Sequence, residues 1–192
     1  MKIGFTCQFK KKTLTNSIEK SVESLEALKQ NLKNFTFPKS TIIKFSTNTI
    51  EINEIVQDIP VGNDTADYIY LFKIVGKTKS NRELAILLKE EKQKQSSDEL
   101  KKDLPKINDE HNGTQYLYVG RSHKLRNRIR QHLSEDYKGT YAMHMKRWCT
   151  TLDETIELHY YKIENQDNLL IQAIEDSLWL NFKPSFGRKG DK

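Results

Sequence analysis

The stretch YLYVGRSHKLRNRIRQHL, residues 116–133, decides how this chain is read. QYLYV (115–119) suits a strand, Gly120 permits a sharp exit, and KLRNRIRQHL (124–133) sets Leu125, Ile129 and Leu133 on one helical stripe. The side-chain period of two puts Tyr116 and Tyr118 on one face of the strand. On the helix Arg128 and His132 are four residues apart and project together. A phenol, a guanidinium and an imidazole can therefore converge at one strand-to-helix junction, flanked by Arg121, Lys124, Arg126 and Arg130.

The basicity is local. Between Tyr118 and Thr150 eight Lys or Arg stand against Glu135 and Asp136, whereas Glu83 to Glu110 is nearly balanced. With a net charge of +6 this favours a polyanionic partner. At 36% hydrophobic and 30% charged residues in 192, the chain is a polar globular protein able to bury a core, not a disordered one. No run approaches the roughly 20 apolar residues of a membrane span, and MKIGFTCQFKKK lacks the apolar run of a signal peptide. A cytoplasmic, soluble protein is expected, with no membrane partner. Cys7 and Cys149, far apart and in no ligand spacing, indicate neither a disulfide framework nor a thiolate zinc site. Gly76-Lys77-Thr78 ends like a phosphate-binding loop, but the glycine required five positions earlier is Leu71, which excludes that motif.

Working outward, residues 15–33 place Ile18, Val22, Leu25, Leu28 and Leu32 at helical spacing, with Asn16 or Ser17 as the N-cap. TIIKF (41–45) reads as a short strand, and EINEIVQDI (51–59) fits strand or helix equally. DYIYLFKIV (67–75) is a buried strand with Tyr68 and Tyr70 on one face. Ser80 with Glu83 and Ser96 with Glu99 form two capping boxes, predicting two short helices. Asn112-Gly113 predicts a tight turn into the tyrosine strand. TIELHYYKI (155–163) is a further strand, and NLLIQAIEDSLWLNF (168–182) a helix packing Leu170, Ala173, Ile174 and Leu178 inward, closed by Pro184. Glu175, beside Ala173 and Ile174, requires a cationic partner if it is buried. The order implies an α/β architecture, a small sheet flanked by helices.

Taken singly each feature has a bland reading: strand tyrosines at a core edge, a solvated basic helix, a packing histidine, an exposed helix glutamate. Together they resemble the GIY-YIG nucleases. Tyr118-Val119-Gly120 stands as the second motif, with Arg128 and His132 ten and fourteen residues after the tyrosine. Glu175 to Pro184, ending Lys183-Pro184, is similar to the family's metal-binding helix, and Tyr68-Ile69-Tyr70 stands where Gly-Ile-Tyr would. The chain departs from the pattern in that glycine, in the 47 residues between Tyr70 and Tyr118, and at Gly187, where the family has an asparagine. That ligand or backbone brace is then either missing or supplied elsewhere, for example by Asn181.

The resemblance covers residues 66–188 and implies an α+β domain with a mainly antiparallel three-stranded sheet and a helical insert at 76–114. It leaves 1–65 as an N-terminal α/β extension and 189–192 as a tail. It implies a divalent-metal-dependent endonuclease of a restriction-like, mobile-element or repair system, the first favoured, hydrolysing phosphodiester bonds in double-stranded DNA. Its Mg²⁺ (or Mn²⁺) would be held by Glu175, with Tyr70 and Tyr118 deprotonating or orienting water. Arg128 would stabilise charge at phosphorus and His132 support nucleophile or leaving group. Arg121, Lys124, Arg126, Arg130, Lys146, Arg147, Lys183 and Arg188 are the expected backbone contacts, in a monomer or homodimer. The rival reading is a non-catalytic nucleic-acid-binding protein that kept the fold; a membrane-surface or acidic-protein binder is the third.

Overall fold

DYIYLFKIV becomes the central strand of the sheet in the computed structural model, which describes residues 6–62, 65–76, 78–97, 104–109, 113–135 and 141–190, with the side chains of 6–12, 78–81 and 95–97 excepted. The elements run α1 (Thr6–Asn34), β1 (Thr41–Ser46), α2 (Ile52–Val56), β2 (Ala66–Val75), α3 (Thr78–Ser97), β3 (Tyr116–Ser122), α4 (Leu125–Leu133), α5 (Met145–Trp148), β4 (Thr155–Glu164) and α6 (Asn168–Phe182). The fold is α/β, an antiparallel sheet flanked by helices.

The sheet has four strands in the order β1-β4-β2-β3, one more than the three expected. The added strand is TIIKF, drawn from the N-terminal extension and paired antiparallel with β4 from Thr41↔Tyr160 to Ser46↔Thr155. It joins because the extension buries its own apolar residues on the same core: Phe45, Ile50, Ile55, Val56 and Ile59 pack with the β2 and β4 side chains. EINEIVQDI, open between strand and helix, resolves as the one-turn helix α2.

The alternation of β2 divides the molecule into two layers. Tyr68, Tyr70, Phe72 and Ile74 face the larger core, which includes Leu125, Ile129 and Leu133 of α4. Ile69 faces the other way, onto Leu170, Ile171 and Ile174 of α6, with Leu28 and Phe35 at its margin. Ile171 takes the inward place expected of Ala173, which is only half-buried.

Other helix boundaries differ from expectation. α1 begins at Thr6, so Asn16 and Ser17 lie inside it and do not cap it. α3 begins ahead of Ser80 and continues through Ser97, so the first capping box is internal and one long helix replaces the first of two short ones. The second expected helix, and Asn112 of the turn, fall outside the described residues; Gly113 has the positive φ of 104° such a turn requires.

Candidate active site

Tyr70 and Tyr118 come together because β2 and β3 pair antiparallel with Tyr70 opposite Gly120 and Phe72 opposite Tyr118. The two phenol rings stack at 6.2 Å between centroids and 13° between planes. α4 follows β3 within three residues and lays His132 against both, 4.5 Å from the Tyr118 ring and 5.6 Å from that of Tyr70.

The hydrogen bonds orient His132 and Tyr70. The backbone N–H of Met143 donates to His132 Nδ1 at 3.2 Å. A neutral ring therefore carries its proton on Nε2, which donates to Tyr70 Oη at 3.0 Å. Burial, with the Arg128 charge nearby, holds His132 well below the usual imidazole pKa and keeps it neutral. Arg128 Nε also donates to Tyr70 Oη, at 3.2 Å. The Tyr70 oxygen thus accepts twice and its own proton is left to point elsewhere. Two donors favour the phenolate, yet complete burial outweighs them and raises the phenol well above its ordinary pKa, so Tyr70 is neutral.

Arg128 is clamped. Its Nη1 donates to Gln131 Oε1 at 2.9 Å, and its Nη2 to the Tyr141 carbonyl at 2.9 Å and to Tyr118 Oη at 3.4 Å. Gln131 stands three residues on and could have been found by helical spacing. The Tyr141 carbonyl and the Met143 amide had no sequence signal, since a loop brings them in.

Two glycines let the rings sit where they do. A Cβ on Gly120 would lie 2.7 Å from Tyr70 Oη and 2.8 Å from Tyr118 Cε1. Gly187, φ +98°, abuts the other edge of the same ring: a Cβ there would lie 2.9 Å from Tyr118 Cε2. The Gly187 departure is thus a packing requirement of Tyr118. The brace is not Asn181, which is exposed, but Asn108 in the insert. Asn108 is buried and its Nδ2 donates to the carbonyls of Pro184 at 3.0 Å and Gly187 at 3.1 Å. Its backbone N–H bonds the Ser185 carbonyl at 2.8 Å, and the Ile107–Phe186 bridge extends the contact.

Glu175 comes from α6, on the layer opposite the phenols, and meets Arg121 of β3, the edge strand. Its Oε2 lies 3.4 Å from Arg121 Nε, whose Nη1 also donates to Asn168 Oδ1 at 2.7 Å. The ion pair is recessed, each side chain 17% exposed. Burial pushes the Glu175 carboxyl up to about 7 despite Arg121, helped by Asp176 and Asp67. One recessed carboxylate that draws a cation to itself suits a hard, water-keeping divalent ion. Among the described residues no group of three or more His, Cys, Asp or Glu could hold a metal, so an ion at Glu175 would have this one carboxylate as its ligand from the chain.

The other basic residues divide. Arg126 donates to the carbonyls of Ile59 (2.6 Å) and Gln57 (3.1 Å), tying α2 to α4, and Arg147 pairs with Glu91 at 3.1 Å. Lys124 and Arg130 are exposed and, with Arg126, Asn127, Val61 and Gly62, line a groove of ≈ 300 Å³. Lys183, the left-handed C-cap of α6, and Arg188 are exposed, and Lys146 is half-buried.

Residues 107–189 match the family model of the GIY-YIG catalytic domain. The matched segment contains Tyr118, Arg128, His132 and Glu175, while β2 with Tyr70 precedes it. No curated protein and no solved structure matches the chain significantly.

Proposed function

We propose that this chain, whose residues 107–189 match the model of the GIY-YIG catalytic domain, is a divalent-metal-dependent DNA endonuclease. The observation that carries the reading is the clamp on Arg128: two phenols, a glutamine and a main-chain carbonyl hold the guanidinium at the mouth of the tyrosine pair. A guanidinium already fixed in place loses no reorganisation energy when charge builds on a phosphorus centre, which is the condition for strong electrostatic stabilisation.

Roles follow from exposure and hydrogen bonding. Tyr118, half-buried, faces the substrate and orients the attacking water. Tyr70, fully buried and neutral, positions Arg128 from behind, and His132 holds Tyr70 through Nε2–H. Glu175 would hold the divalent ion, Mg²⁺ or Mn²⁺, which supplies a positive charge that lowers the pKa of water and offsets the phosphate. Arg121, paired with Glu175 here, is then released toward the substrate. Water, oriented by Tyr118, attacks phosphorus and gives up its proton to solvent, the bond to the leaving oxygen breaks in line, and the leaving oxygen takes a proton from solvent.

Lys124, Arg130, Lys146, Lys183 and Arg188 remain for contacts to the DNA backbone, which position without reading bases. Arg121 joins them once displaced, whereas Arg126 and Arg147 serve mainly to tie elements together. Residues 66–188 act as the nuclease domain, with 1–65 completing its sheet.

Incubation of supercoiled plasmid with protein and Mg²⁺, with and without chelator, tests the proposal. Nicking or linearisation by the wild type, lost in Glu175→Ala and in chelator, is expected. Cleavage that survives Glu175→Ala contradicts the assignment, and metal-independent binding without cleavage favours the non-catalytic rival.

A further inference from the structure

The nuclease chemistry leaves α1 without a role. At 29 residues it extends about 43 Å, and it meets the rest of the chain chiefly at its C-terminal end, where Leu28 and the following Phe35 pack beside α6. The projecting part is not polar all round. Leu14, Ile18, Val22 and Leu25 succeed one another at spacings of four, four and three, which places them on one face, and they are 54–64% exposed. Leu32, 38% exposed, continues the line.

We propose that this stripe is a self-association surface, covered by the same stripe of a second copy of this chain about a two-fold axis. Three observations select that occupant. First, between Leu14 and Leu32 the one charged residue on the stripe, Lys29, four residues after Leu25 and three before Leu32, is paired with Glu26 at 3.2 Å, so two copies meet without unpaired like charges. Second, the serines alongside it are already satisfied within the helix: Ser17 Oγ donates to the Thr13 carbonyl and Ser21 Oγ to that of Ser17, each at 2.9 Å. These small polar groups can enter a helix–helix seam without leaving a donor unpaired and let the backbones approach closely. Third, and resting on the nuclease reading, each chain holds one catalytic cluster, whereas cutting both strands of a duplex calls for two.

A two-fold contact is self-complementary, so one apolar stripe suffices. A specific interface must clear roughly 1,000 Å², and a single line of five exposed apolar side chains per copy offers a limited contact, which places the dimer among reversible rather than obligate ones. The affected side chains are exposed, so their replacement leaves the domain core intact.

Sedimentation velocity on the full chain, wild type and Ile18→Glu/Leu25→Glu, tests the proposal. The wild type is expected to approach twice its 22.5 kDa as concentration rises, and the double variant to remain at 22.5 kDa with unchanged thermal unfolding of the domain. A wild type that stays at 22.5 kDa up to about 100 µM, or a double variant that keeps the wild-type mass, overturns it. Plasmid cleavage separates the two readings. A monomer that cuts DNA removes self-association alone; a dimer that cuts nothing upholds the pairing and removes the nuclease reading.

Discussion

Replacing Gly120 by alanine puts one methyl group between the phenols of Tyr70 and Tyr118. The added carbon would lie 2.7 Å from Tyr70 Oη, 2.8 Å from Tyr118 Cε1 and 2.9 Å from Tyr70 Cζ, against a comfortable separation of about 3.5–4.0 Å, so both rings must retreat by roughly 0.7 Å or more. Tyr70 has nowhere to go: it is 1% exposed, with Phe72 and His132 against it. Overpacking of this kind costs about 1–3 kcal/mol. Stretching the charge-assisted bond from Arg128 adds about a third to a half of the 1.5–3 kcal/mol such a bond contributes. A loss of about 2–4 kcal/mol corresponds to a melting temperature lower by roughly 5–15 °C in a chain of this length. The cleavage rate should fall at least about 100-fold, because a shift near 1 Å in the groups holding Arg128 is enough. Thermal unfolding by calorimetry and single-turnover plasmid cleavage read the two effects. Adding Tyr70→Phe deletes the nearest clashing atom, so the double variant should recover part of the stability and none of the activity. Gly120→Ala that melts within about 2 °C of the wild type and cuts normally would refute the packing argument.

Stability in chelated buffer should depend on Glu175. Its folded pKa of about 7 lies above the ordinary 4.5, so the folded state binds the proton more tightly than the unfolded one; stability is greatest below about 4.5 and declines as pH rises toward 7. With discount for its partial exposure the decline is on the order of 1–3 kcal/mol, and Glu175→Gln should abolish that part of the slope in urea titrations from pH 4.5 to 8; parallel curves would count against it. Removing the brace with Asn108→Ala or Asn108→Asp, both lacking the Nδ2–H donors, should lower stability by about 1–3 kcal/mol and slow cleavage, as Gly187 loosens beneath Tyr118; an Asp variant that behaves as wild type would show that the carbonyls find other donors. If about five of the exposed basic residues neutralise phosphates, DNA affinity should drop by between two and three orders of magnitude from 50 to 200 mM salt, and a slope near zero in a filter-binding series would dismiss the backbone contacts.

Much of the site was legible because its motifs are local. A period-two strand, a glycine and a helix bearing Arg128 and His132 are consecutive, so their mutual placement follows from strand and helix geometry with little tertiary context. α6 was legible for the same reason, through its apolar spacing and the Pro184 stop. What escaped depends on pairings between distant segments. TIIKF was recognised as a strand, yet nothing local says that it hydrogen-bonds to β4 and widens the sheet. Arg126 and Arg147 looked like phosphate contacts because charge alone cannot distinguish a side chain aimed at solvent from one drawn onto a main-chain carbonyl or a glutamate. Asn108 lies 79 residues from Gly187, and the pairing of 106–108 with 185–187 brings the two together. The need of Glu175 for a cation was read from its apolar neighbours, but not that Arg121 would supply it. α1 was read as amphipathic, yet the folded chain leaves most of its apolar stripe uncovered.

The central claim is that the clamped Arg128 acts on the reacting phosphorus and does not merely help to hold DNA. Single-turnover cleavage and equilibrium DNA binding, measured side by side for wild type and Arg128→Lys, address it most directly. Lysine keeps the charge but cannot engage Tyr70, Gln131 and Tyr141 together, so the cleavage rate is expected to fall by about 10²–10³ while the dissociation constant changes by less than about threefold. Equal losses in binding and cleavage, or an unimpaired rate, would contradict it.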